Sequence, residues 1–275
     1  MSLDSISTDH TDNYRYQLML KVPDYSSRDY WDRRFTSDDD NVFEWLQPLS
    51  SITPFIRPEV EVRKRTNVKL LHIGCGSSLL SNELRRLLKA QEERSIILNV
   101  DFSPTAIERG QQYELKEFGN VKMCWGIVDL LDWANIRAVC SDNNIYFFDI
   151  IVEKSCSDAI ACGLSIEMDV MSSESSSGNP ESHGITKEIV LPQIALAVHL
   201  GRITRPGAVW IALSYSSDRF DYLKPSSEQS EAKSMWAIEY IHPLSTTNQD
   251  QHKEGTPVYR PEIFHYVYIL RRKDQ

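Results

Sequence analysis

The chain has 275 residues, 41% hydrophobic and 10% aromatic, enough to bury a large core in one domain or at most two. Thirty lysines and arginines against 39 aspartates and glutamates leave a net charge of -9, and no long basic block offers a footprint for a phosphate backbone, which argues against nucleic acid as a partner. No run of about eighteen apolar residues occurs. The N-terminal MSLDSISTDHTDNYRYQ is polar and acidic, unlike a signal or transit peptide, so the expectation is a soluble cytoplasmic protein with no membrane partner.

In chain order, residues 1–24 read as a flexible N-terminal arm, and 25–275 as a single domain. From Tyr25 to Ile56 aromatic residues crowd together (Tyr30, Trp31, Phe35, Phe43, Trp45, Phe55), interrupted by the acidic turn TSDDDN. Their spacing predicts two helical pieces folded over something. Alternation follows: NVKLLHIG reads as a strand, SLLSNELRRLLKAQ as a helix, SIILNVD as a strand, and SPTAIERGQQYELKEF as a helix with Pro104 in its first turn. NVKMCWGIV and YFFDIIVEKS are strands flanking the short helix LDWANIRAVC.

Ser165 to Gly184 is Ser-rich and acidic with Gly and Pro, and reads as a mobile surface insert. TKEIVLPQIALAVHLGRIT looks helical, with Pro192 at a kink or first turn. RPGAVWIALSY, WAIEYIHPL and IFHYVYILRR complete a count of seven strands, the last two compatible with an antiparallel edge pair. The expected fold class is α/β: a seven-stranded, mostly parallel, Rossmann-like sheet with helices on both faces and an antiparallel C-terminal strand.

Five cysteines with no C-x-x-C pair argue against both a disulfide framework and a zinc site, so reduced thiols and no metal are expected. His72, inside an apolar strand, reads as a hydrogen-bonded core or site-wall histidine.

The sharpest signal is KLLHIGCGSSLLSNEL, where a buried strand stops on Gly74 and Gly76 and turns into a helix. In an open parallel sheet the ligand lies beyond the carboxyl ends of the strands, and glycine lets the first turn come close to it. A third glycine near Leu79 is missing, which counts against a dinucleotide. Asp101, ending the next strand, stands where ribose hydroxyls need acceptors, and Asp129, one strand further, can accept from an exocyclic amine, with Phe102 and Leu130 as faces of an apolar slot. This suits a nucleoside without phosphates; the alternative is that the acids are ordinary strand-end or capping residues.

YWDRRF and FEWL before the first strand, then LLHIGCGSS, NVDFS, DLLDW and FFDIIVEKSCSDAI, carry a resemblance to the class I S-adenosylmethionine-dependent methyltransferases. More narrowly, the chain resembles the branch with the elongation factor 1A lysine methyltransferases and the methyltransferase-like segment associated with endothelin-converting enzyme 2. The likeness spans about Tyr25 to Arg272. It implies S-adenosyl-L-methionine as cofactor. It places Gly74 against the methionine part, Asp101 and Phe102 against ribose and adenine, and Asp129 with Leu130 at the adenine edge. The resemblance also implies that Trp31, Phe35 and Trp45 close residues 25–60 over the cofactor as a lid, and that Lys154 sits beside the amino-acid portion or the methyl end. Phe35 stands where tyrosine is commoner.

Methyl transfer from a sulfonium is an in-line displacement needing little acid-base machinery beyond a free lone pair on the acceptor. Glu153 and Asp158, nearest the fourth strand end, either orient the acceptor or merely flank a loop. A protein lysine is the slightly preferred acceptor and a small-metabolite amine or hydroxyl the runner-up. A cofactor-binding protein without transferase activity is the alternative of another class.

Overall fold

The computed structural model describes residues 23–37, 44–63, 67–89, 95–171, 185–246 and 262–274. Most of the N-terminal arm, the Asp-rich stretch with Phe43, and residues 247–261 lie outside these residues.

Two helices precede the sheet, α1 (Arg28–Ser37) and α2 (Thr53–Val62), where two helical pieces were expected. Then come β1 (Lys69–Ile73), α3 (Leu80–Lys89), β2 (Ile96–Asp101), α4 (Pro104–Phe118), β3 (Cys124–Ile127), α5 (Trp133–Asp142), β4 (Phe148–Lys154) and the single-turn α6 (Cys156–Ile160). The second half holds β5 (Ile166–Met171), β6 (Ile185–Val190), α7 (Pro192–Arg202), β7 (Thr204–Ser214), α8 (Glu231–Met235), β8 (Trp236–Ser245) and β9 (Phe264–Arg272).

Seven strands form one sheet in the order β3-β2-β1-β4-β7-β9-β8. The pairs from β3 through β7 are parallel, and β9 runs antiparallel to both β7 and β8. Because the side-chain period of a strand is two, neighbours along β1 face opposite layers. Leu70, with Ile97, Ile150 and Ile211, packs against Ile56 and Val60 of α2 and Leu80 and Leu84 of α3. Leu71, with Leu98, Ile151 and Trp210, packs on the other side against Ile136 of α5 and Leu196 and Leu200 of α7.

Local chemistry sets the helix ends. Ser103 caps α4 by accepting from the Ala106 N–H (3.2 Å), Pro104 supplies the first turn as expected, and Gly119 ends the helix at φ +71°. Glu114, buried on α4, accepts from the Lys122 and Met123 N–H groups, the Trp125 indole and Arg85, which fastens α4 to the start of β3.

One segment departs from expectation. The stretch 165–184, read as a surface insert, opens with β5, whose Met168 and Val170 are buried and whose Glu167 and Asp169 are exposed. β5 pairs antiparallel with β6, part of which was read as helix; Thr186, Lys187 and Glu188 stand opposite Val170, Asp169 and Met168, and the helix begins only at Pro192. Residues 172–184 between the two strands are outside the described ones.

The chain leaves β1 toward β2 and β3 on one side and returns to β4 on the other, so the strand order reverses between β1 and β4. Ile73 stands opposite both Val100 and Glu153, and Asp101 opposite Ile127, which brings the carboxyl ends of four strands to one level. That is where such a sheet opens a crevice. Among the described residues no helix is long and apolar enough to cross a membrane.

Candidate active site

A cavity of about 440 Å³ opens at that crevice. Its wall contains Trp31, Phe35, Trp45, Gly74, Gly76, Asp101, Phe102, Asp129, Leu130 and Lys154, so the residues expected to contact a cofactor are brought together.

Both glycines of the first turn are left-handed, Gly74 at φ +56° and Gly76 at φ +52°. A Cβ on Gly74 would lie 2.6 Å from the Cβ and 2.7 Å from the Sγ of Cys156, so this glycine exists for the close approach of α6. A Cβ on Gly76 would come 3.2 Å from the Phe35 ring, which packs against the turn and is almost wholly buried. The aromatic side chain at position 35 therefore has a contact that needs no hydroxyl.

Asp101 holds the turn. One carboxylate oxygen accepts from the Gly76 N–H (2.9 Å) and the other from the Ser103 N–H (2.9 Å). A carboxylate has about four lone-pair sites, so acceptor capacity remains on the side that faces the cavity. Burial raises its pKa to about 6, against the lowering effect of those backbone donors. Asp129 is exposed at the rim, accepting from the Leu131 N–H (2.9 Å), with Leu130 buried beside it. The Leu130 carbonyl accepts from His199 of α7 (3.0 Å), fixing that loop.

The N-terminal segment forms the opposite wall as one aromatic cluster. Trp31 stacks on Phe35 at 5.6 Å and meets Trp45 edge-on at 5.5 Å, and its indole donates to the Tyr25 carbonyl (2.7 Å). Asp32 of α1 accepts from the Ser103 hydroxyl, joining this wall to the start of α4. Glu44 accepts from the Ser78 hydroxyl (2.9 Å) and the Leu79 N–H (3.0 Å) and pairs with the ammonium of Lys154. Burial lowers the pKa of Lys154 while Glu44 raises it.

Glu153 and Asp158 do not line this cavity. Glu153 is fully buried, accepts from the Ser157 N–H (2.5 Å), and has its other oxygen without a hydrogen-bond partner; burial raises its pKa to about 7. Asp158 accepts from the Ser214 hydroxyl (2.6 Å), the Tyr215 N–H (3.1 Å) and Arg219 (2.7 Å), tying α6 to the end of β7. It borders a second, smaller cavity of about 230 Å³ with Tyr25, Trp31, Trp45, Ser155, Ala159, Cys162 and Tyr215. Ser155, between the two carboxyl residues, sits at φ +66°, an uncommon conformation for a non-glycine residue and one found at functional turns.

Glu44, Tyr25, Asp32 and Tyr215 are site residues that sequence reasoning passed over. Glu44 lay inside the quoted FEWL, but its partner is 110 positions away, and no local pattern announces such a pair. His72, in contrast, sits in the wall as expected, bonded to Ser81 (2.9 Å) and Asn99 (3.2 Å) and held by burial at a pKa of about 4. Among the described residues no group of three or more His, Cys, Asp and Glu could hold a metal ion.

Over 252 residues the chain is 29% identical to Methyltransferase srdJ of Neurospora crassa, covering 92% of this chain and 86% of that one. That likeness, which runs over most of both chains, supports an S-adenosylmethionine-dependent methyltransferase. A shorter likeness, 30% over 95 residues, relates it to the eEF1A lysine and N-terminal methyltransferase of Danio rerio, covering 34% of this chain and 12% of that protein. The fold is shared with the N-methyltransferase NodS of Bradyrhizobium japonicum in complex with S-adenosyl-L-homocysteine, at a TM-score of 0.51 and 11% identity over 90% of this chain and 98% of that one. No family model matches the sequence.

Proposed function

We propose that this methyltransferase acts on an amine nitrogen, a protein lysine in first place. In this reading Asp101 accepts from the ribose hydroxyls of S-adenosylmethionine, Phe102 and Leu130 flank the adenine, and Asp129 accepts from its exocyclic amine. Trp31, Phe35 and Trp45 cover the cofactor, and Gly74, Gly76 and Lys154 face its methionine end. The cofactor supplies an electrophilic methyl group on a positively charged sulfur. What the chain must add is position and a site from which water is excluded.

The observation that carries the acceptor reading is the smaller cavity, which shares Tyr25, Trp31, Trp45, Ser155 and Ala159 with the larger one. Ring faces attract an ammonium through their quadrupole, and the rings of Tyr25, Trp31 and Trp45 in the wall of the smaller cavity suit an aliphatic amine, beside Tyr215, whose ring has the Arg219 guanidinium 5.6 Å from its centre. Asp158 is already balanced by Arg219, so it holds the wall that bears Tyr215. Glu153, sealed below, holds the N–H of Ser157 and with it the turn at Ser155. Both act here as positioning residues. The name of the zebrafish relative states lysine and N-terminal acceptors, which also supports nitrogen. The apolar rim of Ile160, Leu164 and Ile166 is the feature that favours a small-molecule acceptor instead.

The test is transfer of a radiolabelled methyl group from S-adenosylmethionine into cell extract, split into protein and small-molecule fractions, with and without prior acetylation of amines. Label in protein that disappears after acetylation is the expected result. Label in the extractable fraction moves the assignment to the small-molecule alternative, and label in neither refutes both. Replacing Tyr215 by alanine should raise the KM for the acceptor and leave cofactor affinity within about twofold, because Tyr215 borders only the smaller cavity.

A further inference from the structure

Lys154 places a positive charge in a cavity that has to accept a second one. The side chain is 4% exposed at the tip of β4, and among the described residues in the cavity wall it is the only lasting cation, His72 being neutral. A sulfonium held at that end meets a like charge in surroundings with little water to screen it. The thioether that remains after methyl transfer does not.

Glu44 answers the Lys154 charge from outside the sheet. Its carboxylate is fixed by the Ser78 hydroxyl, within 2.9 Å of each oxygen, by the Leu79 N–H at the start of α3, and by the Lys154 ammonium. Lys154 in turn donates to the Gln47 carbonyl (3.3 Å), so both ends of the pair are held, unlike a loose surface ion pair. Glu44 also immediately precedes Trp45, so the same anchor that balances Lys154 seats the aromatic wall on the glycine turn.

We propose that Glu44 is a specificity-determining positioning residue, whose carboxylate cancels the Lys154 charge and so lets the site favour the sulfonium of S-adenosylmethionine over the uncharged sulfur of S-adenosylhomocysteine. The inference rests on the methionine end of the cofactor facing Lys154. Discrimination between the two compounds then depends on a pair of side chains of which only one lines the cavity.

Calorimetric titration of the full chain with each compound tests this. Glu44→Gln keeps an oxygen that can accept from Ser78 and Leu79 but removes the charge. It should weaken S-adenosylmethionine relative to S-adenosylhomocysteine by about tenfold. Lys154→Met should move the ratio the other way, since it leaves a carboxylate near the sulfonium, and the double variant should return it close to the wild-type value. Equal weakening of both compounds by Glu44→Gln, the signature of a merely structural role, overturns the proposal, as does an unmoved ratio. Should Glu44→Gln not fold, Lys154→Met alone decides, and a ratio that stays put or falls refutes the idea. Failure of the unaltered protein to bind either compound would instead refute the cofactor placement beneath it.

Discussion

Replacing Gly74 by alanine isolates the reason for the first glycine. At φ +56° an L-residue is disfavoured by roughly 1–2 kcal/mol. The added methyl would stand 2.6 Å from the Cβ of Cys156 and 2.7 Å from its Sγ, and overpacking of that kind costs about 1–3 kcal/mol. The substitution should therefore destabilise the fold by about 2–5 kcal/mol. The two contributions can be separated, because Cys156→Gly removes the atoms in the way but does nothing for the backbone angle. That change costs about 1 kcal/mol on its own at a helical position. The double variant should then recover the packing part, seen as a coupling energy of about 1–3 kcal/mol in a double-mutant cycle. Urea unfolding of the four proteins at one pH, with unchanged m-values, gives that number. Strict additivity would refute the claim that Gly74 is required by α6, and would point to the cavity side of the turn instead.

Two further outcomes follow from the buried acids. Glu153 has its pKa raised by burial to about 7 from 4.5, so the stability it contributes is complete below the unfolded value and is lost as pH rises through the folded one. Ionisation in place costs up to about 3 kcal/mol by linkage, and Glu153→Gln should gain on the wild type between pH 5 and pH 8 in denaturant titrations; a pH-independent difference would contradict this. Asp101→Asn leaves one of the two N–H groups, of Gly76 or Ser103, facing an amide NH₂. That costs about 1–3 kcal/mol of stability, and S-adenosylmethionine affinity measured by calorimetry should fall at least about tenfold; unchanged affinity would exclude Asp101 from ribose binding.

The parts of this molecule that were legible in the sequence are those built from local patterns. β1, β2 and β4 are apolar runs because both faces are covered, and the Gly74–Gly76 turn and Asp101 announce themselves by position after a strand. The aromatic wall was visible through its density alone. What could not be read is mostly long-range. Glu44 finds Lys154, and Asp158 finds Ser214 and Arg219, only once the sheet has aligned the strand ends. Glu153 and Asp158 looked like the acids nearest the chemistry because sequence gives the distance along the strand but not which way its residues face. The β5–β6 hairpin was missed for a different reason. Ile166, Met168 and Val170 do alternate with polar residues, but the serines and acids that follow dominated the composition of the window and hid a period of two.

The position of β9 has a consequence for how the protein is made. Among the described residues it is the last of nine strands in chain order, made after both of its neighbours, yet it is inserted between β7 and β8 and hydrogen-bonds to both. Until it emerges, the edges of two earlier strands stay open to solvent and to neighbouring nascent chains. Translation can thus assemble the crevice-bearing half of the sheet early, while closure of the other half waits for synthesis to reach β9.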